Sequence, residues 1–332
     1  MSDRSLPRLW FERPVIGTLQ ASVAERCTVL GPGTEDEPFN GVTTAQAAIA
    51  GSARYDDAFM DLAPELTVIS RMGIGVDSVD VAAATRRGIV VCNAPEGPTV
   101  STAEHAVTLM LAVAKGVRRA QAAVETGKAL RYYVGHRGIE LEGKVLGLVG
   151  YGRIARHVAR IARGIGMDVV AFDPYVDATT TGDVSFVASL HELLGVADVV
   201  SVHVPLTDDS RGMIGRDEFA AMKPGTVFIN TARGGVVDQD ALLAALEAGR
   251  LFGAGLDVTD PEPLPADHPL AGRSDVIVTP HIASGTIEGK VRMLQMAVDQ
   301  AIDVVEGRRP PHIVNPEVWE HRAHGPAAGV GA

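Results

Sequence analysis

The feature that most constrains this chain is the run Gly147-Leu-Val-Gly150-Tyr-Gly152-Arg-Ile-Ala155. An apolar stretch at 144–149 leads into it and a helix-patterned stretch at 152–164 leaves it, so the glycines sit at a strand-to-helix turn. There Gly150 permits a tight turn, Gly152 lets the backbone approach a pyrophosphate, and Ala155 is small enough for close helix–strand packing. The helix N-terminus adds unpaired amides and a positive dipole end. By itself the glycine pattern fits a plain strand–helix turn equally well. The next strand-like run, 167–173, ends in Asp173, 23 residues after Gly150. That is close to the ~20 expected of a carboxylate accepting from ribose hydroxyls. An acid there also repels a 2′-phosphate, so the site reads as one for NAD rather than NADP. The competing reading of Asp173 is a turn residue before Pro174.

Around this turn the chain alternates short apolar runs with helical stretches. Runs at 47–50, 66–70 and 89–92 enclose helix-like segments at 54–62 and 79–87. Further strand candidates lie at 144–149, 167–173, 197–203, 226–230, 252–257 and 275–279, with helices at 152–164, 189–195, 215–222 and 238–248. This order predicts parallel sheets covered by helices, with six strands in one doubly wound sheet. The first 40 residues give only loop markers, Pro32, Gly33 and Pro38. Ser101-Thr-Ala-Glu104 reads as a capping box opening one helix from 103 to 125. His105 on that helix reads as a packing or interface residue. A last helix is expected at 286–306.

The length of 332 residues suits two domains. A net charge of −11 with no basic run argues against nucleic acid or an anionic membrane as partner. No apolar run approaches the ~18 residues of a membrane span, and the N-terminus lacks a signal-peptide block. Two cysteines, Cys27 and Cys92, make neither a disulfide framework nor a four-ligand zinc site. The expectation is a cytoplasmic protein with no metal.

Four motifs fall at the ends of the later strands: His203-Val-Pro205-Leu-Thr207, Asn230-Thr-Ala-Arg233-Gly-Gly235, Asp257-Val-Thr-Asp-Pro-Glu262-Pro and Thr279-Pro-His281-Ile-Ala-Ser284. Occurring in this order, they make the chain resemble the D-isomer-specific 2-hydroxyacid dehydrogenases from about Leu66 to Pro316. The resemblance implies that Arg233, Glu262 and His281 are catalytic. The chemistry agrees: reducing a 2-keto acid needs a hydride, a proton for the developing alkoxide and a cation for the carboxylate. An imidazole, with an ordinary pKa of about 6.5, can supply the proton. Glu262 would favour the imidazolium and fix its tautomer, and Arg233 offers a planar fork for the carboxylate. The resemblance further implies that Arg153, Ile154, His203, Pro205, Thr207, Thr231 and Ser284 line the dinucleotide with Gly150, Gly152 and Asp173. It gives Asp257 to the nicotinamide carboxamide. Arg71, with the backbone amides of Gly73, Ile74 and Gly75, would take the substrate carboxylate.

The implied architecture is an α/β fold of two doubly wound parallel-sheet domains. A Rossmann-type NAD-binding domain, 101–285, is inserted into a flavodoxin-like substrate domain, 1–100 with 286–320, and the active site lies in the cleft between them. A homodimer through the dinucleotide domain is expected, and no appended regulatory domain. Within the family, Glu262 disfavours formate oxidation, where the position carries Gln. Phosphoglycerate dehydrogenases carry an Arg-Ser-x-Thr motif where this chain has Ala50-Gly51-Ser52-Ala53, although Arg54 is available as a substitute. The reading is therefore an NAD-dependent reductase of a small unphosphorylated 2-keto acid such as glyoxylate or hydroxypyruvate. The alternatives are a D-3-phosphoglycerate dehydrogenase and, from another class, an NAD-sensing corepressor-like binding protein, which the short chain ends disfavour.

Overall fold

In the computed structural model, which describes residues 5–177 and 184–323, the chain divides into two compact units, 1–98 with 286–332, and 99–285. The first is built on five parallel strands: β1 (Arg8–Phe11), β2 (Thr28–Leu30), β3 (Ala47–Ala50), β4 (Val68–Arg71) and β5 (Val90–Cys92). Their order, β2-β1-β3-β4-β5, is that of flavodoxin-like sheets. β3 and β5 are buried at every position, which is why they read as unbroken apolar runs rather than as alternation. The helix Ile287–Val305, capped by the Thr286 hydroxyl, packs Leu294, Ala297, Val298 and Ala301 onto one face of this sheet.

The second unit holds seven parallel strands: β6 (Val145–Val149), β7 (Asp168–Phe172), β8 (Ser185–Phe186), β9 (Val199–Val202), β10 (Thr226–Asn230), β11 (Leu251–Leu256) and β12 (Val276–Val278). The order β12-β11-β10-β9-β6-β7-β8 is the Rossmann order with one strand added beyond the sixth. Alternate residues feed the two faces. Leu146, Leu148, Val227 and Ile229 face one apolar cluster, and Val149 and Phe228 the other. Each fully buried side chain of this size contributes roughly 1.5–3 kcal/mol.

Four points differ from the sequence reading. The helix expected over 103–125 is two helices, Thr99–Ala114 and Val117–Glu125, separated where Gly116 turns left-handed at φ +62°. Ser101 and Glu104 lie inside the first of these and therefore do not cap its start. The six-strand sheet has a seventh member, the two-residue edge strand β8, and the N-terminal stretch supplies β1 and β2.

Candidate active site

Reversal of strand order in the second sheet puts the ends of β6 and β9 side by side, and the glycine turn and His203 with them. Ligands of open parallel sheets bind at such a point. Gly150 takes φ +88° and donates its N–H to Phe172 O at 2.8 Å. A Cβ there would lie 2.8 Å from Val204 Cγ1 and 2.9 Å from His203 O, so no other residue fits. Gly152 heads the helix Arg153–Gly164 with no side-chain cap, and a Cβ there would meet nothing within 4 Å, which leaves the helix terminus open to close approach. Arg153 and Ile154 form its first turn, with Ala155 fully buried below.

Asp173 follows β7. Its Oδ2 accepts the Tyr151 N–H at 2.8 Å and its Oδ1 the Tyr175 N–H at 2.9 Å. It is thus a turn residue as well as a half-buried acid beside the glycine turn. The His203 amide donates to Val149 O at 2.8 Å, and its Nε2 lies 2.9 Å from Ser201 Oγ. Its ring retains some surface, yet burial pushes the imidazole down to about 4 and holds it neutral. Ser210 Oγ donates to Pro205 O at 2.6 Å and accepts the Thr207 N–H at 2.8 Å, folding the 205–210 loop into one piece. Thr231 Oγ1 is buried and has no hydrogen-bond partner. A buried orphan hydroxyl is costly unless a ligand completes it. With the positive-φ turn, the open helix terminus and the acid, it fits these residues to a dinucleotide.

Asn230 organises the loop after β10: its Oδ1 accepts the Ala232 N–H and its Nδ2 donates to Arg233 O, both at 2.9 Å. Arg233 Nη1 donates to Ala232 O at 2.7 Å. Gly234 lets this loop press against the next one, since a Cβ there would sit 2.0 Å from Thr259 O.

Beyond β11 and β12 lie the remaining motif residues. His281 Nδ1 is 2.5 Å from Glu262 Oε1, and both side chains are exposed, by 46% and 40%. His281 is a non-glycine residue with a left-handed backbone, φ +52°, a conformation that persists only where the surroundings impose it. Asp257 imposes it. Its carbonyl accepts the His281 N–H at 2.8 Å; its Oδ1 accepts from Thr279 Oγ1 at 2.6 Å and Ile282 N–H at 2.9 Å; its Oδ2 accepts the Ala283 N–H at 2.8 Å. Burial works to raise the pKa of this carboxyl, but the bonds from His105, Thr279, Ile282 and Ala283 outweigh it and hold the group below the usual carboxylate range. The Asp257 side chain, expected from the resemblance near the nicotinamide carboxamide, is 0% exposed and bonded to the 279–283 loop. Ser284 follows Ala283 and is half-buried.

Behind this loop stands His105, read from sequence as a packing residue. Its Nε2 is 3.0 Å from Thr279 Oγ1 and 3.4 Å from Asp257 Oδ1. Thr279 gives its one proton to Asp257, so it must accept from His105, and Nε2 carries the hydrogen. No local pattern marks this pairing across 174 residues.

The first unit carries Arg71 at the end of β4 and the turn Gly73-Ile74-Gly75. Asn93 Nδ2 donates to Ile74 O and the Ala94 N–H to Gly73 O, both at 2.8 Å, so the turn's carbonyls are held back on one side. Among the described residues no three His, Cys, Asp or Glu side chains are placed to hold a metal ion. No described helix is long and apolar enough to cross a membrane.

Comparison with known proteins agrees with this geometry. Residues 107–283 match the family described as D-isomer specific 2-hydroxyacid dehydrogenase, NAD binding domain. The chain is 39% identical over 284 residues to the D-3-phosphoglycerate dehydrogenase of Archaeoglobus fulgidus, covering 85% of this chain but 54% of that one. It thus spans about half the length of that relative. It is 38% identical to the glyoxylate reductase of Aeropyrum pernix, with 82% of this chain and 83% of the other covered. A crystal structure of a protein from Thermus thermophilus superposes with a TM-score of 0.85 at 41% identity, covering 92% of this chain and 99% of the other.

Proposed function

The chain belongs to the D-isomer-specific 2-hydroxyacid dehydrogenase family and carries its NAD-binding domain, and from that premise we propose that it reduces a small 2-keto acid, glyoxylate or hydroxypyruvate in class, with NADH. The observation that carries this is the 2.5 Å contact between His281 Nδ1 and Glu262 Oε1. It commits Nδ1 to the carboxylate and leaves Nε2 as the proton-exchanging atom.

When bound, NADH would supply the hydride that the keto carbon needs. Gly150, Gly152, Arg153 and Ile154 receive the pyrophosphate at the helix terminus, Asp173 the adenosine ribose, and Thr231, with His203, Pro205, Thr207 and Ser284, the remainder. His281 Nε2–H gives its proton to the carbonyl oxygen as negative charge develops there, and Glu262 holds the ring in place through Nδ1. Arg233 holds the substrate carboxylate and polarises the keto oxygen. Arg71 and the amides of Gly73, Ile74 and Gly75 add further contacts to the carboxylate. In the reverse direction neutral Nε2 takes the hydroxyl proton. Asp257 acts through the loop it holds.

Two further proposals concern assembly and location. Val124, Leu130, Tyr133 and Val134 are exposed by 63–98% along 117–135. Apolar surface of this extent marks an interface, and a second copy of the chain covers it in a homodimer. Cys27 and Cys92 are free and buried, their thiols pushed up to about 11 and about 12 by burial, which suits a reducing cytoplasm.

The test is NADH oxidation with glyoxylate, hydroxypyruvate, pyruvate and phenylpyruvate. Turnover of at least one, yielding the D-hydroxy acid, is expected. NAD binding without turnover of any of them contradicts the proposal and points to a sensing role.

A further inference from the structure

At the C-terminal edge of the first sheet a carboxylate is enclosed by backbone amides. Glu12 follows β1 with its side chain 14% exposed. Its Oε2 accepts from Gly51 N–H and Tyr55 O–H, both at 2.6 Å, and its Oε1 from Ser52 N–H at 2.8 Å and Ala53 N–H at 3.2 Å. Gly51 makes room for it, since a Cβ there would lie 2.5 Å from Oε1. Three successive amides and a phenol converging on one point form an anion-binding nest, and the anion in it belongs to the protein. Tyr55 is fully buried; burial, and then the charge of Glu12, raise its pKa well above the usual tyrosine range and keep it a donor.

The nest adjoins the Arg71 turn. Ala50, the residue before the nest, pairs in register with Arg71; its carbonyl accepts the Met72 N–H at 2.9 Å and lies 3.5 Å from Arg71 Nη1. Both loops leave the ends of neighbouring parallel strands, where such sheets receive ligands. Resting on the reading of Arg71 and Gly73–Gly75 as carboxylate contacts, we propose that Glu12 is a specificity-determining residue that restricts this chain to keto acids bearing a single anionic group.

The reason is electrostatic. A phosphate or second carboxylate directed toward this loop meets a fixed like charge, and the amides that would have received it are already engaged. A like charge fixed in place by four hydrogen bonds discriminates against such a group without any contact that favours the monoanion. Arg13 Nε lies 3.9 Å from Glu12 Oε1, but its side chain is 64% exposed and its charge is screened by solvent.

The experiment compares hydroxypyruvate with phosphohydroxypyruvate, and pyruvate with oxaloacetate, as substrates of the full chain. In the unmodified protein kcat/KM for the monoanion should exceed that for the acid with a second anionic group by about tenfold or more in each pair. Glu12→Gln, similar in shape but neutral, should shrink that ratio by about tenfold. Ser52→Lys, which adds a cation at an exposed position of the same loop, should shift it in the same direction and serves if the first variant does not fold. Equal use of both members of a pair by the unmodified protein, or a ratio unmoved in the folded variants, overturns the inference while leaving the dehydrogenase reading intact. If no keto acid is reduced, that reading fails and the inference falls with it.

Discussion

His281 donates its backbone N–H to the carbonyl oxygen of Asp257 at 2.8 Å, while the carboxylate of the same aspartate takes the N–H groups of Ile282 and Ala283. One buried residue therefore holds the 279–283 loop in a conformation in which His281 is left-handed, which the loop would not adopt alone. Asp257→Asn turns an acceptor into a donor facing the Ala283 or Ile282 amide, and should cost about 1–3 kcal/mol of stability. Chemical denaturation of the two proteins at neutral pH measures this.

The same carboxyl sets an acid limit. Its folded pKa is lowered, so the stabilisation is fully present above the unfolded value of about 3.9 and is lost as pH falls through the folded value. The gap in unfolding midpoint between the wild-type chain and Asp257→Asn should stay constant from pH 6 to about pH 4 and close only at lower pH. A gap that persists unchanged well below pH 4 would show that the charge of Asp257 contributes nothing.

If His281 is the proton donor, His105, which donates to Thr279 behind the loop, would act on the reaction at one remove. His105→Leu should lower kcat about tenfold, the KM for NADH staying within about twofold, because the displaced group is the proton donor and not the dinucleotide turn. His105→Gln retains a donor and should recover most of the loss. A structural role alone would instead lower the melting temperature of both variants with kcat preserved.

Asp173 braces the Tyr151 amide beside the glycine turn, and on the proposed function it also takes the adenosine ribose. NADH should exceed NADPH by about tenfold or more in kcat/KM, and Asp173→Ser should shrink this ratio by about tenfold, or ~1.4 kcal/mol. Equal use of the two cofactors by the unmodified chain would remove Asp173 from the ribose site.

Gly234 is needed for contact between two loops, since a Cβ would lie 2.0 Å from Thr259 O. Gly234→Ala should force the Arg233 loop outward, costing about 1–3 kcal/mol in stability and more than about tenfold in kcat/KM. An unchanged KM for the keto acid would contradict the placement of Arg233.

What was legible in the sequence follows from how local its causes are. The strand at 226–230 is readable to the residue and the helix after Asp238 to within one residue at each end, because an unbroken apolar run and an N-cap carry their own boundaries. β1 was missed because Arg8-Leu-Trp-Phe11 lies between Pro7 and Pro14, and its apolar character is completed only by pairing with β3. The helix break at Gly116 was missed because the apolar periodicity continues through it. The His281–Glu262 pair was legible through ordered motifs. The Glu12 nest and the His105–Asp257 contact were not, since they join residues about 40 and 150 positions apart that no periodicity links.

The central claim is that His281 passes a proton to a keto acid as it is reduced by NADH. The direct measurement is a single turnover: chain preloaded with NADH, mixed with hydroxypyruvate, and NADH fluorescence followed for the unmodified protein and for His281→Gln. The account predicts rapid loss of NADH in the first and a rate lower by roughly 10²–10⁴ in the second, with NADH affinity unchanged. Oxidation of NADH at the same rate in both would contradict it.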